Sequence, residues 1–136
     1  MNDYSQLEHI KLIQVVVGRM AQNSFVLKGW SVTLATGLLA AAIVDKPVYA
    51  ALALFPALSF WGLDAYYLRQ ERLFRALHDA VAAHSDTPTM RYSFDTRPHR
   101  AQVGSWLWAC RSITVAGLHG TVVLVILIVL KAASVL

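Results

Sequence analysis

Cysteine is almost absent from this chain. Cys110 stands alone, so no internal disulfide can form and the fold needs no oxidising compartment. Proline and glycine are missing between Gly62 and Pro88, which lets one helix run on undisturbed through that stretch. There is no glycine-rich phosphate loop, no serine elbow and no CxxC. The histidines at positions 9, 78, 84, 99 and 119 show no metal-ligand spacing with acids or with the cysteine. Nothing pairs a nucleophile with a base. The expectation is a protein that is not an enzyme and carries no metal and no cofactor. A net charge of +4 is too small to indicate nucleic acid as a partner. A secretory leader is not expected, because Asp3, Glu8, Lys11 and Arg19 interrupt the apolar residues of the first segment. No lipidation motif, internal repeat or low-complexity tract is found.

What the chain has in excess is apolar residues in long charge-free runs. They make up 57% of its 136 residues, and mean hydropathy is +0.49. The runs cover residues 29–44, 47–63 and 112–130, and the first two lengthen to about 20 residues with their flanks. Lys28 can snorkel from the edge of the first. A soluble bundle with buried helices is the alternative. It fails at residues 121–130, TVVLVILIVL, which are apolar around the full helical circumference. The expected fold is therefore all-α: an integral membrane bundle of three transmembrane helices with cytoplasmic helical extensions, forming one domain. Its expected parts are an interfacial helix at 4–24, spans at 25–44, 47–68 and 106–131, a cytoplasmic helix at 69–84 and an arginine-rich loop at 85–104.

Lysine and arginine placement predicts the orientation. The N-terminal segment carries Lys11, Arg19 and Lys28. The long connection carries Arg69, Arg72, Arg75, Arg91, Arg97, Arg100 and Arg111. Only Lys46 and Lys131 of the twelve lie elsewhere. The N-terminus and the long connection are expected in the cytoplasm and the C-terminus outside.

A tight turn at Asp45, Lys46 and Pro47 forces the first two spans into an antiparallel hairpin, in which facing residues have numbers summing to about 92. Lys28 and Asp64 meet that condition at the edge of the apolar layer. They read either as an ion pair fixing hairpin register or as a polar gate. Arg19 with Glu71, and Asn23 with Arg69, come near the same register. With Arg111 they make a candidate inner charge layer, although Arg111 can equally snorkel on its own. His119, about two turns into the third span, can bond a neighbouring helix, line a pore or sense pH. Arg91, Arg97 and Arg100 could bind anionic lipid headgroups or an anionic small molecule, or simply express the orientation bias. Ser112, Ala116 and Gly120 recur every four residues, as do Gly37 and Ala41, a pattern that favours helix association and homo-oligomers. Pro56 is a candidate kink.

Residues 19–30, RMAQNSFVLKGW, and 60–72, FWGLDAYYLRQER, resemble a group of small bacterial inner-membrane proteins. More loosely, they resemble two-span membrane effector modules of anti-phage systems associated with nucleotide signalling or TIR-type genes. That resemblance implies an oligomeric effector in the bacterial inner (cytoplasmic) membrane. It would permeabilise or depolarise the bilayer when triggered by a cytoplasmic sensor protein or an anionic small-molecule signal. Two other readings remain at this stage: an adaptor subunit anchoring a cytoplasmic partner, and a small housekeeping channel or transporter.

Overall fold

The computed structural model describes residues 3–83 and 92–135. Helix α1 (Asp3–Val44) runs without a break for 42 residues, about 63 Å at 1.5 Å per residue. It is twice as long as a ~30 Å hydrocarbon layer requires. The expected interfacial helix at 4–24 and first span at 25–44 are one continuous helix, which Gly18 and Gly29 do not interrupt. The chain reverses at Asp45, Lys46 and Pro47 and enters the short helix α2 (Val48–Leu52), which Pro47 precedes as its cap residue. Helix α3 (Leu54–Ala83) returns along α1 for 30 residues.

The second span is thus split at Ala53, and Pro56 supplies the reason. Proline has no N–H to donate and its ring crowds the carbonyl four residues back, here that of Leu52. The loop region is not wholly irregular. A 3-10 turn (Arg97–His99) leads into α4 (Arg100–Val103), and Tyr92 and Phe94 stand in irregular chain with no strand among the described residues. Gly104 ends α4 at φ 79°, ψ 179°, a conformation open essentially to glycine alone.

The expected third span at 106–131 is in two pieces. Helix α5 (Trp106–Cys110) is capped by Ser105, whose side chain accepts from the Trp108 amide. It stops at Arg111 with tight i→i+3 bonds from the Arg111 and Ser112 amides to the Trp108 and Ala109 carbonyls. Helix α6 (Ile113–Val135) then makes the crossing. Its apolar continuity with residues 106–110 conceals the joint in sequence.

Three helices, within Tyr4–Val44, Val48–Ala83 and Ile113–Ala133, are long and apolar enough to cross a membrane, and they pack as a bundle. Toward the turn end, the helices meet through small residues: Ala35, Ala53 and Ala57 are buried against Ile126. Alanines let the backbones approach closely. Phe55, Ile113 and Ile128 point outward, as suits side chains that face lipid. Toward the loop end, α1 and α3 continue together, with Ile13 buried against Leu77 and Val81. The Gln6 amide donates to the Val81 carbonyl at 3.0 Å, so the hairpin register persists to the last turn of α3. Ala57→Leu is expected to overpack the three-helix contact and cost about 1–3 kcal/mol, lowering Tm in detergent. Phe55→Leu, on the outward face, should leave Tm nearly unchanged.

Candidate functional site

The site forms where all three long helices meet, at the loop-end edge of the apolar layer. Ser24, Lys28 and Ser31 lie on one face of α1 at helical spacings of four and three. Asp64 projects from α3 opposite them, and His119 from α6.

Asp64 is wholly buried. A carboxylate there has lost its water and must find donors within the protein. Lys28 Nζ lies 2.8 Å from Oδ1 and 2.7 Å from Oδ2. The Ser24 hydroxyl also donates to Oδ1, and itself accepts from Lys28 Nζ at 2.8 Å. His119 Nε2 donates to Oδ2 at 3.1 Å. A carboxylate can only accept, so this contact fixes the proton of a neutral His119 on Nε2. Nδ1 is then the acceptor for the Ser31 hydroxyl, 3.3 Å away. Trp61 stacks on the imidazole, with centroids 6.2 Å apart and planes 15° from parallel. Its own Nε1 donates to the Cys110 carbonyl at 3.0 Å, which ties α5 to the same layer.

The result is a continuous chain, Lys28–Ser24–Asp64–His119–Ser31, spanning three helices. With neutral histidine its net charge is zero. Lys28 is its contact with the outside, at 21% side-chain exposure; Asp64 and His119 are at 0%. Serine, histidine and aspartate occur together here, but Ser31 is fully buried, so no acyl substrate reaches its hydroxyl in this conformation. No group of three metal-ligating side chains exists among the described residues.

The structure joins Lys28 to Asp64 directly and adds His119. The remaining inner-layer residues lie elsewhere. Arg19 and Asn23 are exposed on α1. Glu71 pairs within its own helix with Arg75 at 2.8 Å, the neighbour four residues on. Arg69 Nε donates to the Gly104 carbonyl at 3.1 Å. Arg111 is exposed at the α5–α6 joint. Of the loop arginines, Arg91 lies outside the described residues and Arg100 is exposed. Arg97 grips Asp95 with both arms of its fork, and those hydrogen bonds hold the Asp95 carboxyl down at about 2.

Ser24, Ser31 and Trp61 were not evident as site residues. Their signal is the shared face of Ser24, Lys28 and Ser31, legible only once Lys28 is known to face inward. A second buried histidine, His9, also escapes the sequence. Its Nε2 donates to the Ser93 carbonyl at 3.0 Å, and its ring packs against Tyr92 and Phe94. The Tyr92 hydroxyl donates to Glu8 at 3.1 Å. These contacts clasp the loop to α1 and hold Tyr92 at φ 54°, a costly conformation for an aromatic residue.

Removing one member of the buried pair leaves the other uncompensated. Asp64→Asn is expected to cost about 3–5 kcal/mol, read as a lowered Tm in detergent. Lys28→Met combined with Asp64→Leu should recover most of that loss. If the double variant melts no higher than Asp64→Asn, the ion pair is not what sets the cost.

No family model matches the chain, and no curated protein or solved structure shows a match to it. On its own residues the chain is a helical, multi-pass membrane protein whose three long helices meet at a buried ionisable centre.

Proposed function

We propose that this protein is an oligomeric membrane effector that is closed in the described bundle and opens an ion path when triggered. The observation that carries this reading is the extent of the buried chain from Lys28 to Ser31. Lys28 and Asp64 alone would suffice to fix the register of a two-helix hairpin. His119 extends exchangeable donors and acceptors onto the third long helix, and Ser31 carries them back to α1 one turn deeper. Beyond them toward the turn, Ala35, Ala53, Ala57 and Ile126 close the bundle with a dry apolar plug. A polar half below an apolar plug suits a path that conducts only when the helices part. Gly37 and Gly120 present open backbone at the surface, where a neighbouring helix can approach. The setting in the bacterial inner membrane and in anti-phage defence is supported by the resemblance of residues 19–30 and 60–72 alone. In that setting the trigger, a sensor protein or an anionic signal, would act on the loop-end layer.

A second reading, a membrane adaptor for a partner protein, is favoured by one feature. Leu7, Leu12 and Val15 are exposed along the loop-end half of α1, beside Glu8 and Lys11.

Induction in cells loaded with a membrane-potential dye separates the two. The effector depolarises the membrane when its trigger is co-expressed, and cross-linking captures homo-oligomers. The Lys28→Met/Asp64→Leu variant should insert and cross-link but depolarise at least tenfold less. A wild-type chain that forms a stable hetero-complex with unchanged potential under that trigger overturns the effector in favour of the adaptor.

A further inference from the structure

A second polar corner lies on the same side of the membrane as the site but outside its hydrogen-bonded chain. Arg72 is eight residues beyond Asp64 on α3, about 12 Å along the helix axis. Its Nη2 donates to Ser112 Oγ at 3.2 Å, and its guanidinium lies 5.0 Å from the centroid of the Trp108 ring. Nη1 is buried and has no hydrogen-bond partner, the one such side-chain nitrogen or oxygen among the described residues. No carboxylate pairs with Arg72 among them. The same holds for Arg69, one turn back on the same face, whose Nε is spent on the Gly104 carbonyl. A desolvated guanidinium donor without an acceptor is costly; Arg72 as a whole is only half-buried, so a small turn of its fork brings that donor to an acceptor outside the chain.

The surroundings specify that acceptor. Trp106, Leu107 and Trp108 are all exposed on the five-residue helix α5, at 44%, 67% and 63%. Trp106 Nε1 donates to the Gly62 carbonyl at 3.0 Å, which sets α5 level with the loop-end edge of the apolar layer. Tryptophans at that level mark the boundary between hydrocarbon and headgroups. Arg72 lies about 15 Å along α3 from Gly62, and its side chain reaches back to Ser112 and the Trp108 ring, which brings the guanidinium into the headgroup zone that adds about 5–8 Å to each side of the core.

We propose that Arg72, oriented by Ser112 and by the Trp108 ring, binds the phosphate of an anionic phospholipid, with Arg69 supplying a second positive charge and Trp106 and Leu107 contacting the acyl chains. Lipid is favoured over a soluble anion because the exposed apolar face of α5 adjoins the corner; a free phosphate gains nothing from it. Arg97, the loop arginine with a well-formed fork, is already filled by Asp95. The site does not depend on ion conduction: an adaptor would hold the same lipid.

Native mass spectrometry of the full chain, extracted from vesicles of equal phosphatidylcholine and phosphatidylglycerol, tests the assignment. The wild type should retain phosphatidylglycerol preferentially, and Arg72→Gln should lose that preference roughly tenfold, the value of one charge-assisted bond. Arg97→Gln should keep it. Ser112→Ala, which leaves every charge in place, should weaken retention several-fold and carries the test if Arg72→Gln does not purify. Equal retention of the two lipids by the wild type overturns the proposal, as does undiminished preference in Arg72→Gln or, in its place, in Ser112→Ala. Displacement of the lipid by millimolar inorganic phosphate assigns the corner to a soluble anion instead and also overturns it.

Discussion

A carboxylate at the centre of three apolar helices has no water to turn to, and the positions of α1, α3 and α6 follow from satisfying it. Asp64 draws Lys28 and Ser24 from one helix and His119 from another. Apolar packing in a bilayer is weakly directional, since lipid tails are as apolar as leucine. Bonds to a buried charge are directional, and breaking one is expensive. The network therefore fixes rotation and register, while the alanine contacts at Ala35, Ala53 and Ala57 allow the close approach it needs.

The same requirement shapes the neighbouring segments. Trp61 stacks on His119 and reaches the Cys110 carbonyl, so the aromatic layer that shields the imidazole also anchors α5. Trp106 repeats the device one helical turn away by bonding the Gly62 carbonyl. A Cβ at Gly62 would touch the Trp106 ring at 3.4 Å, the near edge of ordinary van der Waals contact, which shows how closely the ring lies over this backbone. The break at Arg111 lets α5 lie against α3 while α6 takes its own course.

Much of this was legible in the sequence because of one short connection. A turn at Asp45–Pro47 leaves the first two long helices a single antiparallel arrangement, and from it the meeting of Lys28 and Asp64 can be counted. The count also set Arg19 opposite Glu71, but the ion pair that Glu71 makes is with Arg75, four residues away on its own helix. His119 could be recognised as polar within a span, but not as a ligand of Asp64. The long connection before α6 sets neither its rotation nor its depth. Ser24 and Ser31 were silent because serine within a helix is common and carries no charge. The division at residues 111–112 was hidden because apolar residues continue on both sides of it.

One consequence follows from the uninterrupted course of α1. The helix carries Glu8 and His9, which clasp Tyr92 and Ser93, and four turns and more along the same rod it carries Ser24, Lys28 and Ser31. No proline lies in between to absorb a twist. The clasp and the buried charge are thus mounted, like two cranks on one shaft, on a single unbroken helix with no joint between them.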